Sequence, residues 1–151
     1  MRAVVQRVSK AHVRVSETTV GEIDRGFLVL LGIATGDTER DAAAIAAKIG
    51  GLRVFQDDAG KMNVDLAAVG GAVLLVSQFT LIADVRKGRR PSFVGAADPE
   101  EATRLVGEVA SHLSDAGFEV ATGVFGAQME VSLVNDGPVT IVIDSTDGSI
   151  S

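Results

Sequence analysis

The sequence predicts an α/β protein in which a mixed β-sheet, layered or barrel-like, carries two helices packed on one side. Apolar runs of strand length at 26–33 and 72–76 lie close to two segments with helical spacing of apolar residues, at 41–49 and 102–116. The element order is β-rich, then two β–α units, then β-rich again. This order is typical of a sheet with helices on one face.

Length and composition fit one domain with its own core. The chain has 151 residues, of which 46% are hydrophobic, so it is long enough to bury a substantial apolar interior. We assign residues 1–144 to this single domain. Residues 145–151 are polar and lack apolar periodicity, and we expect them to form a flexible C-terminal tail.

Strands are predicted from alternating or continuous apolar residues. Residues 2–15 alternate loosely and predict one long bent strand or two consecutive strands. The run 26–33 is apolar on both faces, so we expect it at the centre of the sheet. Residues 72–82 are predicted to form a second central strand. The remaining strands are predicted at 18–23, 52–55, 118–124, 128–134 and 139–143.

Both helices have recognisable first turns. Thr38 and Asp41 have the spacing of a capping pair, and two glycines follow the alanine-rich helix that they begin. Asp98 and Pro99 precede two acidic residues, which is the pattern of a helix start with a cap and a proline in the first turn. We therefore expect two well-bounded helices.

The composition excludes several kinds of site. The chain has no Cys, which rules out disulfides, thiolate catalysis and Cys-bound zinc and is compatible with a cytoplasmic enzyme. The net charge of −6 argues against a protein that coats nucleic acid, and no Trp or Tyr is present to stack single strands. No apolar run is long enough for a membrane span. His12 and His112 are isolated, so we expect no metal and no cofactor.

Polar side chains interrupt the second central strand at residues 77–81, whose sequence is SQFTL. Strand alternation places Gln78 and Thr80 on one face and Ser77 and Phe79 on the other. Polar groups at the end of an apolar strand often mark a ligand site. The alternative is a strand that emerges into solvent with its hydroxyls satisfied, and spacing alone favours this alternative.

Residues 135–140, with the sequence NDGPVT, are rich in turn-forming types. They fit an ordinary turn between two antiparallel strands. They also fit an edge at which Gly137 and Pro138 offer backbone carbonyl oxygens to an ammonium group, because glycine has no Cβ and permits close approach. The pattern alone does not separate the two possibilities.

A basic loop at residues 86–90 carries four positive charges in five residues. In an acidic chain this is a local anomaly, and Arg is suited to paired hydrogen bonds with phosphate. The loop is predicted to be either a phosphate contact site or a solvated surface segment.

Taken together, the motifs resemble those of the D-aminoacyl-tRNA deacylase family. The resemblance extends from Met1 to about Ile143. It is carried by residues 77–81 and 135–140, by the sequence RPSF at 90–93, and by GKMN at 60–63. These separated motifs occur in the family's order and spacing.

The resemblance implies a reaction and a set of partners. Family members are homodimers with active sites at the subunit interface. They hydrolyse the ester that joins a D-amino acid to the terminal adenosine of tRNA, and they also remove glycine mischarged on tRNA-Ala. We therefore expect a cytoplasmic translation proofreading enzyme that binds tRNA, has no membrane association and needs no cofactor.

The resemblance also assigns site residues. Gly137 and Pro138 are implied to form a cis step inserted into the active site of the partner subunit, with Arg7 holding that step in orientation. The remaining implied positions are the pocket residues Ser77, Gln78, Phe79 and Thr80, and, near the adenosine and the pocket wall, Phe125 and Met129.

A mechanism follows from these assignments. The carbonyl oxygens around Gly137 and Pro138 would bind the substrate ammonium and crowd the space of an L side chain, while a D side chain points outward. Backbone N–H groups near Phe79 and Thr80 are candidates to stabilise the oxyanion. The resemblance implies that the 2′-hydroxyl of the terminal ribose assists the attacking water, which fits a chain with no evident base. The alternatives are an esterase with a Thr80 nucleophile and a non-enzymatic RNA-binding module.

Overall fold

A computed structural model describes all residues from 1 to 151, and a seven-stranded mixed sheet forms its centre. The strands are β1 Arg2–Val15, β2 Thr18–Ile23, β3 Gly26–Gly32, β4 Phe55–Gln56, β5 Met62–Val64, β6 Ala72–Ser77, β7 Val120–Thr122, β8 Glu130–Thr146 and β9 Ser149–Ile150. The sheet order is β7-β6-β3-β1-β8-β9, with β2 paired to β1. β1 pairs antiparallel with β2, β3 and β8, whereas β3, β6 and β7 run parallel. A separate two-stranded sheet contains β4 and β5.

Two helices, α1 Glu39–Gly51 and α2 Pro99–Asp115, cover one face of the sheet. Both contribute to a core of 21 buried residues that also includes alternate side chains of β1, β3 and β6. The intervening side chains of β3 and β6 belong to a smaller cluster of 8 residues on the other face. The predicted α/β class, with a mixed sheet and two helices on one side, is confirmed. Neither helix has the length and apolar character that a membrane crossing requires.

The first turns of both helices match the sequence prediction. The Oδ2 atom of Asp41 accepts hydrogen bonds from the backbone N–H of Thr38 at 2.9 Å and from its hydroxyl at 3.1 Å. The Asp98 carboxylate accepts from the backbone N–H of Glu101 at 3.1 Å, and Pro99 is the first residue of α2. These contacts satisfy N–H groups that have no partner inside a helix.

Residues 145–151 differ from the expected flexible tail. β8 continues to Thr146 and turns back into β9. The hydroxyl of Ser145 donates to Asp41 Oδ1 at 2.7 Å, and the backbone N–H of Gly148 donates to the same atom at 2.9 Å. Asp41 is only 1% exposed, and a buried carboxylate needs such donors. The polar residues of this segment are therefore structural partners of α1.

The predicted central strand 72–82 is also shorter than expected. β6 ends at Ser77, and residues Phe79–Ile82 form a 3₁₀ helix. The Gln78 N–H still donates to Leu31 O at 2.8 Å, but the next backbone contact is a turn from Leu81 N–H to Gln78 O at 3.2 Å. The sheet contact is thus lost after Gln78, and the chain turns instead of extending β6.

Candidate active site

A cavity of about 390 Å³ lies where the parallel strands β3 and β6 end, beside the first half of α2. Ser77, Gln78 and Phe79 form one wall, and Phe125 and Met129 form part of another. Ligand sites commonly occur at the carboxyl ends of parallel strands. The structure therefore brings together five residues that the sequence analysis assigned to one site.

Thr80, the fourth residue of that assignment, is exposed and does not line this cavity. Its hydroxyl accepts a hydrogen bond from the Gln78 side-chain amide at 2.5 Å. The strand alternation predicted from the sequence is wrong here, because the chain leaves β6 and enters the 3₁₀ helix. The two side chains meet through this turn and not by sharing a strand face.

Phe79 is 57% exposed at the cavity wall and packs against Phe93. The two rings meet edge to face, with centroids 5.0 Å apart and an interplanar angle of 70°. Such pairs are favourable beyond the area they bury. Sequence reasoning noted Phe93 only as part of a motif, and no periodicity marked its contact with the site.

Residues 136–139 bulge out of β8 and lie opposite Arg7 on β1. In the antiparallel register Gln6 faces Thr140 and Val8 faces Asn135, so β8 has extra residues at this point. The predicted separate strands 128–134 and 139–143 are one strand interrupted by this bulge. The Gly137–Pro138 peptide bond is cis. Residues 136–138 are exposed and do not line the cavity of their own chain.

Arg7 holds the bulge from the buried side. It is 6% exposed, its Nε donates to the Asp136 carbonyl oxygen at 2.9 Å, and its Nη1 donates to the Val54 carbonyl oxygen. From within β8, the Asn135 side chain accepts from the Val139 N–H at 3.0 Å. The bulge is thus fixed by hydrogen bonds from both strands.

The cavity contains no titratable side chain. Its 14 lining residues are apolar or are Gly, Ser or Gln, and none is Asp, Glu, His, Lys or Arg. No group of three or more His, Cys, Asp or Glu residues is placed to hold a metal ion. The carboxylate with the most clearly shifted pKa, Asp41, caps α1 and does not line the cavity. The groups at hand for chemistry are a hydroxyl, amides and backbone N–H and C=O groups.

Comparison with known proteins gives a consistent result. The family model described as D-Tyr-tRNA(Tyr) deacylase matches residues 4–144. A D-aminoacyl-tRNA deacylase of Geobacter sulfurreducens is 55% identical over 151 residues, which is 100% of this chain and 99% of the relative. That of Thermus aquaticus is 58% identical over 147 residues, or 97% of each chain.

Two solved structures share the fold. One, titled c-Myc DNA Unwinding Element Binding Protein, has a TM-score of 0.91 and 39% identity, covering 97% of this chain and 99% of its own. The other, titled as a probable eukaryotic D-amino acid tRNA deacylase, has a TM-score of 0.82 at 16% identity, covering 93% and 97%. The second likeness concerns the fold alone. On the family match and the full-length relatives, the chain belongs to the D-Tyr-tRNA(Tyr) deacylase family of hydrolases, which act on D-aminoacyl-tRNA.

Proposed function

We propose that this deacylase hydrolyses the ester of D-aminoacyl-tRNA with the terminal ribose 2′-hydroxyl assisting the attacking water. The observation that carries the proposal is the cavity without a titratable side chain. General base catalysis needs a group within hydrogen-bond reach of the water. With no such side chain in the cavity, the substrate itself is the nearest source of a hydroxyl that can orient and polarise the water.

Oxyanion stabilisation is assigned to the turn that follows β6. The backbone N–H groups of Phe79 and Thr80 begin the 3₁₀ helix, where N–H groups have no partner inside the helix. Phe79 also lines the cavity, so donors here can face the ester carbonyl. Loss of one such donor typically costs about 100- to 1000-fold in rate.

Selection between enantiomers is assigned to the carbonyl oxygens of Gly137 and Pro138. They would accept hydrogen bonds from the substrate ammonium and occupy the space that an L side chain needs. A D side chain would project away, and glycine, including glycine mischarged on tRNA-Ala, would pass because it has no side chain to exclude.

A homodimer is part of this proposal, because the bulge does not reach its own cavity. Its residues 136–138 are exposed, and so are Val134 and Val142 on the same strand, at 46% and 58%. A second copy packed on β8 would cover these apolar side chains and receive the bulge in its own cavity. A tRNA substrate also supports the expected cytoplasmic location.

Two alternatives are kept, of which the aminoacyl-tRNA assay below tests the binding module and the variant Thr80→Ala tests the nucleophile. Thr80 as a nucleophile would need a nearby base, and its hydroxyl instead accepts a hydrogen bond from the Gln78 side-chain amide. A non-enzymatic RNA-binding module is the second alternative, because residues 86–90 carry four positive charges and a similar solved structure is described as a DNA unwinding element binding protein.

Matched tRNAs charged with a D- or an L-amino acid provide the test. We expect rapid loss of the D ester and of the glycyl ester and no loss of the L ester. A D-aminoacyl-tRNA ending in 2′-deoxyadenosine, charged on the 3′-oxygen, should be a poor substrate. Stable binding with no ester loss would favour the binding module. Equal cleavage of D and L esters would contradict the selection mechanism.

A further inference from the structure

One loop concentrates positive charge that the cavity chemistry does not use. Residues 86–90 hold 4 of the chain's 14 basic side chains and no acidic one, although the whole chain has 20 acidic side chains. Arg86 is neutralised locally, since its Nε and Nη2 donate to Asp84 at 2.9 and 2.6 Å. Lys87, Arg89 and Arg90 are exposed and form no ion pair within the chain. Three cations are therefore free for an external anion.

The loop is joined to the rim of the cavity. Asp84 and Ser92 exchange two backbone hydrogen bonds, of 2.8 and 2.9 Å, which close the loop at its base. The next residue, Phe93, packs on Phe79, which lines the cavity wall. The loop that carries the three free cations is thus connected to the cavity wall by the contact between Phe93 and Phe79.

The substrate carries its negative charge next to the ester that the enzyme cleaves. In tRNA the nucleotides that precede the terminal adenosine each contribute one phosphate, so anionic groups follow directly after the ester-bearing ribose. The cavity offers no charge to these groups. Arg binds phosphate oxygens in pairs and Lys binds them as a point charge. The acidic remainder of the chain would repel RNA from other surfaces.

We propose that Lys87, Arg89 and Arg90 bind the phosphates of the tRNA 3′ strand next to the esterified adenosine. This proposal rests on the proposed deacylase function and deepens it. The loop supplies affinity for the RNA and positions its end, while the cavity and the bulge act on the aminoacyl ester. The three side chains are binding residues and take no part in bond cleavage.

The test compares two substrates and two triple variants. The loop variant is Lys87→Ser, Arg89→Ser, Arg90→Ser. The charge-matched control is Lys10→Ser, Arg40→Ser, Lys48→Ser, in which all three side chains are exposed and form no ion pair. Each protein is assayed with D-aminoacyl-tRNA and with the 3′-D-aminoacyl ester of adenosine, which has no phosphate.

We expect the loop variant to raise KM for the tRNA about 10- to 50-fold near 0.15 M salt, with kcat little changed. The slope of log affinity against log salt should fall by about 2, as three lost contacts to a single strand predict. The adenosine ester should be hydrolysed as by the parent protein, and the control variant should keep its KM for tRNA.

Two results would overturn the proposal: an unchanged KM for tRNA, or an equal loss on both substrates, which would show that the loop only supports the cavity. Failure of the deacylase function itself has a different signature, namely a parent protein that cleaves neither ester. In that event, binding of uncharged tRNA to the parent and to the loop variant still decides whether these cations contact phosphate.

Discussion

Arg7 donates from Nε to the main-chain carbonyl oxygen of Asp136 at 2.9 Å, across the pairing of β1 with β8. The same guanidinium donates to the Val54 carbonyl oxygen, so one buried side chain bridges two backbone segments. The bulge at Gly137 and Pro138 begins at the carbonyl that Arg7 holds. The proposed selection by main-chain atoms depends on this contact.

We expect Arg7→Lys to lower kcat/KM for D-aminoacyl-tRNA by about 10- to 100-fold. Lysine keeps the charge but does not reach two carbonyl oxygens in the geometry of a planar guanidinium. A misplacement of about 1 Å at a positioning group costs about 100-fold in rate. One buried carbonyl oxygen left without a donor should also cost about 1–3 kcal/mol of stability. Steady-state kinetics and thermal unfolding measure both effects.

The matched control for this change is Arg14→Lys on the same strand, where Arg14 donates to the exposed Glu17 carbonyl oxygen at 3.1 Å. It should leave kcat/KM unchanged. If both variants lose activity equally, or if Arg7→Lys is fully active, Arg7 does not position the bulge.

Gly137→Ala should reduce turnover by more than 100-fold while the protein stays folded. Gly137 has φ of +135°, and an added Cβ would lie 2.9 Å from Val139 Cγ2 and 3.0 Å from Arg7 Nη2. The methyl group would displace the proposed ammonium contacts, since glycine alone permits this approach. Enzyme assays are to be paired with denaturant unfolding.

Gly36→Ala is the control, because Gly36 also has a positive φ, of +92°, but a Cβ there meets nothing within 4 Å. It should lose about 1 kcal/mol of stability and keep its activity. Comparable losses of activity in the two variants would identify the bulge as a structural turn only.

The local signals of the helices were sufficient for prediction, whereas those of the bulge were not. Thr38 and Asp41 make the contacts that their spacing predicts, because a capping box is contained in one turn. Residues 135–140 have the composition of a turn between strands, yet β1 pairs with β8 on both sides of them. The bulge forms because β8 pairs with β1, a strand more than 120 residues away in sequence. The local sequence pattern contains no information about this pairing.

The C-terminal segment and the cavity show the same limit. Ser145 and Gly148 have the polar composition of a tail, and only the buried carboxylate of Asp41 in α1 gives them a structural role. At the cavity, Ser77 and Gln78 at the end of the apolar strand line the wall, although spacing alone favoured a strand end that emerges into solvent. The turn that exposes Thr80 was missed, because alternation assumes that the strand continues.

Thr80→Ala should keep kcat within about 5-fold of the parent value if water is the nucleophile. The hydroxyl of Thr80 contacts the Gln78 amide, so its loss should shift the position of that amide only slightly. Single-turnover hydrolysis of D-aminoacyl-tRNA gives the rate of the chemical step. A loss of more than 1000-fold with intact tRNA binding would instead assign Thr80 as the nucleophile.

Ionised Asp41 should stabilise the protein, so the free energy of unfolding should fall at acidic pH. Burial raises the pKa of its carboxyl, but hydrogen bonds from the Gly148 N–H, the Ser145 hydroxyl and Thr38 outweigh this effect and lower the pKa from 3.8 to about 2. Because the pKa of this carboxyl is lower in the folded than in the unfolded state, its ionised form stabilises the protein at pH values above the unfolded-state pKa. This stabilisation, about 2 kcal/mol, is lost as the pH falls from about 4 to 2.

Asp41→Asn should therefore lower the free energy of unfolding by about 2 kcal/mol at pH 7, and the difference from the parent protein should shrink as the pH falls from 4 towards 2. Asp58→Asn is the control, because Asp58 is exposed and its side chain forms no ion pair. Urea unfolding at several pH values measures the difference. A difference in the free energy of unfolding that stays constant over this pH range would contradict a role for the charge of Asp41. In that case the packing of the side chain alone would join α1 to the hairpin formed by β8 and β9.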